Sequence, residues 1–264
     1  MRARYPKLKD LLVTTDDQNL KFLAGDVRSP FLANMYHAQK MRLIFNLKQL
    51  ECEYLLLDLG SGSAYNTLDY FGMTQLGMLV TTTEHTSIMN MLTFLKLFAF
   101  RVIERSLPKN TFLEEKLRKS YNLSVKEGIL TVRNLLDELA EIDKDVAEQA
   151  KQKWTSFRPR IVFNKCKDPN ELNLLPKLEK ILQHNLLLRA DFFGYLQGDP
   201  AVYISFQQRK ALYKVNPTAE ISKDIYLLAD RITRLWKKPL RNSSSLLFNN
   251  AKNIFEQRRS GLGN

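Results

Sequence analysis

The residues from Glu53 to Thr83 constrain the fold more than any other stretch of the chain. Tyr54-Leu55-Leu56-Leu57 is an apolar run that ends in an acid, Asp58. A glycine-rich turn follows, Gly60-Ser61-Gly62-Ser63, then a segment with helical character over 66–76. A second apolar run, Met78-Leu79-Val80, ends in three threonines, Thr81 to Thr83. A short, continuous apolar run bounded by turn residues predicts a strand buried on both faces. Two such runs joined by a helix predict a βαβ unit with parallel strands. In open α/β sheets ligands bind at the carboxyl ends of the strands. Asp58 stands at such an end, where nucleotide hydrolases hold the water shell of Mg²⁺. Gly60 and Gly62 beside it let backbone approach a phosphate or a metal. The blander reading of Asp58 is an acid that caps a strand.

The rest of the chain alternates in the same way. Arg160 to Asn164 (RIVFN) and Ala190 to Tyr195 read as further buried strands, and 19–24 as a short strand near the start. Helical spacing of apolar residues covers 34–50, 88–102, 171–184, 202–212 and 219–236. Residues 104–158 are charged and helix-forming, which predicts a helical insertion between core elements. The expected architecture is α/β, three layers, with a mainly parallel sheet flanked by helices. Residues 1–238 form that domain, and 239–264 form a polar linker and an amphipathic helix over 246–259. Asn164 ends a buried strand. Its amide both donates and accepts, which suits a planar heterocycle such as adenine, and equally suits a strand-end turn.

Charge bears on partners. The formal net charge is +12, with +5 in residues 1–50, +8 in 206–264 and −1 between them. Basic ends attract anionic lipid or nucleic acid, or are simply solvated. The final helix has Leu246, Leu247, Ala251, Ile254 and Phe255 toward one face and Lys252, Arg258 and Arg259 toward the other side or the end. Such a helix lies on an anionic membrane or docks on its own domain. No helix-turn-helix or aromatic-basic platform is visible, so nucleic acid is the weakest partner. The two cysteines, Cys52 and Cys166, read as buried free thiols, which fits a reducing cytoplasm. The first residues lack the apolar core of a secretory signal, and no unbroken apolar run reaches ~20 residues. His37, His85 and His184 have no metal-ligand spacing. Ser-His-Asp and Gly-x-Ser-x-Gly arrangements are absent, and so is the phosphate-binding GxxxxGK[ST] loop.

EYLLLDLGSGSAYNTLDYFGMTQLGMLVTTTEHTSIMNMLTFLK resembles the Walker B region of the MinD/ParA-type ATPases, closest to their FlhG/FleN-like branch. RPRIVFNKCKDPNEL resembles the adenine-side strand and loop of that family, and FFGYLQGDPAVYISFQQRKALYKVNP its second base-side loop and following helix. The resemblance spans about residues 18 to 236. It implies a three-layer P-loop fold, ATP with Mg²⁺ as cofactors, and a homodimer formed face to face around two nucleotides. It implies that Asp58 holds Mg²⁺ through water, that Gly60 and Gly62 sense the γ-phosphate, that Asn164 reads adenine and that Asp199 is the acid of the second base-side loop. It further implies spatial regulation, as of flagellar number and placement, by a cytoplasmic protein that meets the inner face of the membrane. Two departures stand out. Gln197 takes the place of the usual proline, and the strand, lysine-bearing loop and helix that open the family domain are missing from the sequence. Without that loop the β- and γ-phosphates lose most of their positive contacts, so hydrolysis by the chain alone is not expected. The sequence would then be a truncated product, or one half of a split protein whose phosphate loop lies on a separate chain. The rival reading is a non-catalytic partner- or membrane-interaction protein that binds no nucleotide.

Overall fold

A computed structural model describes residues 7–25, 36–108, 112–119 and 131–260. The chain divides into two compact units, Met1–Met73 and Thr74–Asn264.

In the first unit a two-stranded antiparallel ribbon pairs β1 (Val13–Thr14) with β2 (Lys21–Phe22). Helices α1 (His37–Lys48) and α2 (Tyr65–Phe71) follow. They bury Ile44, Leu47, Leu68 and Phe71, and Lys40 of α1 forms a fully buried ion pair with Asp69 of α2. The segment between them, residues 50–64, has no regular secondary structure. The strand expected at Tyr54–Leu57 is therefore not formed, and the βαβ unit built on it is corrected to a helix followed by one strand. Tyr54, Leu55 and Leu56 are exposed, Leu56 to 84%. An apolar run becomes a strand only when a neighbouring strand takes its backbone N–H and C=O groups. Among the described residues this run has no such neighbour.

The second unit is α/β. Its parallel sheet has the order β3 (Met78–Thr81), β4 (Arg160–Cys166), β5 (Asp191–Gln197), and helices flank it. All three strands lie where the apolar runs predict them. Ile161, Val162, Phe163, Phe192 and Phe193 are buried, as the central and most apolar runs demand. Between β3 and β4 run α3 (His85–Glu104), α4 (112–119), α5 (Val132–Ile142) and α6 (Lys144–Thr155). The expected helical insertion is thus present where residues are described; 109–111 and 120–130 lie outside them. Phe98 of α3 meets Trp154 and Phe157 edge-on at 5.8 and 5.0 Å, and the Trp154 indole N–H donates to the Leu186 carbonyl at 2.6 Å. Helix α3 is long and apolar enough to cross a membrane, which the unbroken-run criterion does not reveal. Here it buries Leu95, Phe98, Ala99 and Ile103 against β3, α5 and α6 as a core helix of this unit.

Helix α7 (Leu175–Asn185) joins β4 to β5 after a 3-10 segment, Pro169–Leu174. After β5 come α8 (Ala201–Gln207), α9 (Leu212–Val215), α10 (Glu220–Leu235) and α11 (Ser243–Arg259). The single helix expected over 202–212 is split, because Arg209 sits at φ 51°. Both α10 and α11 pack on β5.

The segment read as a free linker is pinned at several points. Arg158 donates to the Leu240 carbonyl, Arg160 donates to the carbonyls of Trp236 and Lys238, and the Ser243 hydroxyl accepts from the Phe192 N–H. Arg158 and Arg160 share the fully buried Asp191, and the Arg160 guanidinium also lies over the rings of Phe193 and Trp236. Burial, and then the neighbouring Arg158 charge, push the Arg160 pKa down to about 10, so it stays charged at neutral pH. Helix α11 buries Leu247, Ala251 and Phe255, with Phe255 stacked on Tyr195 at 5.8 Å. Of the two readings of the last helix, the docked one is observed. Three of its five apolar residues, Leu247, Ala251 and Phe255, are buried inside the unit.

Candidate functional site

Because β3, β4 and β5 are parallel, their carboxyl ends share one end of the sheet. That end carries Thr81–Thr83, Asn164 and Asp199, all brought there by the predicted strands. The Thr83 hydroxyl donates to Glu171 at 2.5 Å, and the other Glu171 oxygen accepts the Lys167 N–H at 3.2 Å. This links the β3 exit to the loop after β4.

Asn164 is half-buried, and its side-chain oxygen accepts the N–H of Lys165 at 2.9 Å. Lys165 has φ 58° inside β4, where the pairing with β5 shifts register between Phe163 and Cys166, so the pair sits in a bulge with a left-handed residue. Asp199 is also half-buried, and both its oxygens have local partners. One accepts the Ala201 N–H at 2.8 Å and caps α8; the other accepts the Ile221 N–H at 3.4 Å and tethers the start of α10. Its first task is to shape the loop. Gly198 passes close to the Lys165 backbone, where an added Cβ would lie 3.6 Å from the Lys165 carbonyl oxygen, an ordinary contact.

Asp58, Gly60 and Gly62 belong to the other compact unit. Asp58 is exposed in the irregular segment, not at a strand tip. A Cβ at Gly60 or Gly62 would meet nothing within 4 Å, and neither has φ in the left-handed region. Local structure therefore gives no steric reason for glycine at either position. Among the described residues no group of three or more His, Cys, Asp or Glu is arranged to hold a metal. A lone carboxylate suits a hydrated Mg²⁺ only when phosphate oxygens supply other ligands. Cys52 is exposed, against expectation, while Cys166 is buried as expected. Burial, and then the charges of Glu171 and Asp224, push the Cys166 thiol up to about 12.

Sequence reading missed one network at this end of the sheet. The Asp224 carboxylate, on α10, accepts the Gln197 N–H at 2.8 Å and an Arg258 N–H at 2.8 Å. Arg258, on α11, also donates to the Gln197 side-chain oxygen at 2.6 Å and pairs with Glu220. Burial raises the Asp224 pKa, while its bonds to Arg258 and Gln197 pull the other way. The signal was Gln197 itself, whose backbone N–H and amide oxygen both enter the network. A proline there has no N–H to give Asp224 and no amide oxygen for Arg258. The Tyr195 hydroxyl, nearby on β5, is buried with no hydrogen-bond partner among the described residues, and burial raises its pKa.

The two outer edges of the sheet differ. On β5 the Phe192 N–H donates to the Ser243 hydroxyl, the Phe193 carbonyl accepts from Arg231, and the Gln197 N–H donates to Asp224. Side chains of α10 and α11 thus close that edge. β3 pairs with β4 alone among the described residues, and Val80 is 60% exposed in the middle of the strand. No protein-family profile and no curated protein matches this chain.

Proposed function

We propose that this chain is the larger part of a MinD/ParA-like nucleotide-binding domain of the three-layer P-loop type, acting in spatial regulation such as the number or placement of flagella. Its phosphate-binding strand and loop would come from polypeptide outside these 264 residues. The observation that carries the reading is the one-sided β3. Parallel sheets are buried structures, and an edge strand left open with an exposed valine at its centre is a template for another strand. The apolar residues Tyr54, Leu55 and Leu56, exposed and with no strand partner among the described residues, support it from the other compact unit. On this reading a supplied P-loop strand completes the sheet. Asn164 offers its NH₂ to the base, Asp199 holds the base-side loop in shape, and Asp58 meets the water shell of Mg²⁺ once its segment has a strand to pair with. ATP and Mg²⁺ supply the phosphoryl chemistry when bound; the residues of this chain orient the base and the metal's water.

Titration calorimetry with MgATP tests this. The chain alone gives no binding at micromolar concentration, for lack of a lysine and amide cradle. Co-expression with the product of a neighbouring reading frame that carries GKGGVGK restores binding. In the restored complex Asp58→Ala abolishes Mg²⁺-dependent hydrolysis. Micromolar binding by the chain alone, or unchanged hydrolysis in that variant, refutes the assignment. A stable complex with no nucleotide affinity favours the non-catalytic interaction protein instead.

A further inference from the structure

Helix α8 turns its bulk outward. It buries only Ala201 and Ser205, both small. Val202, Tyr203, Ile204 and Phe206 are exposed, Tyr203 to 65% and Phe206 to 79%. Helix α9 packs against α8 and adds exposed Tyr213. A helix on a folded domain normally turns its large apolar residues inward, so a cluster of them facing water marks a contact surface. The rim of this ledge has one sign of charge. Arg209, Lys210 and Lys214 are exposed, and none has an ion-pair partner among the described residues. Residues 200–219 contain no Asp or Glu. An aromatic, apolar centre inside a charged rim is the anatomy of a protein–protein interface.

The helical insertion carries a face of the opposite sign. Helix α5 packs against α3, α6 and α7 and buries Val132, Leu135, Leu136 and Leu139. Its outer side exposes Asp137, Glu138 and Glu141. None of these acids has an ion-pair partner among the described residues, and residues 134–143 contain no Lys or Arg. Ala140 and Ile142 are exposed as well, Ile142 to 43%, and put apolar surface among the acids. Ledge and acidic face both belong to the second compact unit. Three cations on one match three acids on the other, yet no ion pair joins the two patches within the chain among the described residues.

We propose that the α8–α9 ledge of one copy of this chain docks on the acidic face of α5 in the next copy. Charge complementarity selects this occupant: each patch holds, unrelieved, what the other lacks. Tyr203 and Phe206 supply the large rigid anchors of such a contact, and Ala140 and Ile142 the apolar surface that receives them. Because the two patches differ, the contact is heterologous, and each added copy leaves one ledge and one acidic face open. Assembly is therefore head to tail. Exposed ion pairs contribute little singly and are screened by salt, so assembly depends on concentration and ionic strength. The proposal is independent of the nucleotide reading, since none of these residues has a part in it.

Sedimentation of the full chain without nucleotide tests the proposal. At low salt the weight-average mass rises with concentration through the micromolar range, and added salt lowers it. The ledge variant Arg209→Glu, Lys210→Glu, Lys214→Glu and the face variant Asp137→Lys, Glu138→Lys, Glu141→Lys each set like charges against one another. Each alone weakens self-association on the order of 100-fold. Mixing the two variants restores it, because the negative ledge then meets the positive face and the positive ledge meets the negative face. Tyr203→Ser with Phe206→Ser weakens assembly at unchanged charge. Lys177→Glu with Lys180→Glu on α7 leaves it in place. All these side chains are exposed, so unchanged circular dichroism establishes that the variants fold. A monomer at every concentration, a mixture of the two reversed variants that stays monomeric, or an equal loss in the α7 control overturns the proposal.

Discussion

Replacing Arg258 by Ala removes the tie between the last helix and the carboxyl end of β5, and its cost is readable from the contacts. Arg258 satisfies one oxygen of Asp224 at 2.8 Å, and the Asp224 side chain is 2% exposed. Without the guanidinium, Asp224 keeps only the Gln197 N–H, at 2.8 Å. Breaking a buried ion pair on one side costs about 3–5 kcal/mol, because a charge is left in a poorly solvated site. The Arg258 side chain is 15% exposed and Glu220 is 37% exposed, so water screens part of the loss. The lower end, about 3 kcal/mol, is expected. The penalty carries a pH signature. Burial already holds the Asp224 pKa above the ordinary carboxylate value, and Arg258 opposes that rise. Its loss lifts the folded-state pKa further. Below the ordinary value both folded and unfolded chains keep the proton, and the penalty is least. As pH climbs through the raised folded value, the buried site must hold a charge and the full penalty appears. Both tryptophans, Trp154 and Trp236, lie in the second compact unit, so urea unfolding followed by their fluorescence reports on it alone. Asp224→Asn added to Arg258→Ala should recover part of the loss. A cost below about 1 kcal/mol at neutral pH, or one that does not shrink in acid, would refute the view that α11 is clamped through a buried carboxylate.

Other outcomes follow from single contacts. Iodoacetamide at mild alkaline pH should label Cys52 alone in the native chain and both thiols in urea, because Cys166 is buried with its thiol pushed up to about 12. For the same reason Cys166 contributes stability that is complete below the unfolded thiol pKa and is lost as pH rises from there toward 12. Trp154→Phe removes the 2.6 Å bond to the Leu186 carbonyl and leaves that acceptor buried; a loss of about 1–3 kcal/mol in chemical denaturation is expected, and none would show that the carbonyl finds another donor. Tyr195→Phe deletes a buried hydroxyl that has no partner among the described residues, so stability should hold or rise; a loss above about 1 kcal/mol would reveal a bound water or a further acceptor.

Much of the second unit is legible in the sequence. Met78–Val80, Arg160–Asn164 and the run from Ala190 each give a strand within two residues of its observed bounds; burial on both faces holds for β4 and β5, while β3, expected buried, leaves Val80 60% exposed. The spacing of apolar residues likewise gives α3, α10 and α11. Asn164 was expected to end its strand, but β4 runs on to Cys166, so it lies inside the strand near its carboxyl end, and Asp199 lies in the loop after β5. What Asp199 does there was not legible. Its use as the cap of α8 and the tether of α10 depends on Ile221, 22 residues away.

The first unit marks the limit. Tyr54 to Leu57 is as apolar as the runs that became strands, yet it stays exposed and irregular. Composition states that a segment prefers burial; only a partner's N–H and C=O groups make it a strand, and pairing is not written in the segment itself. The last helix makes the same point. Its two-sided character was plain from the sequence and fits a lipid surface or a protein surface equally. The tertiary structure chose between them by setting Tyr195 against Phe255 and Asp224 against Arg258. A periodic pattern fixes which face of a helix is apolar, while the surface that covers it is assembled from residues far away in the chain.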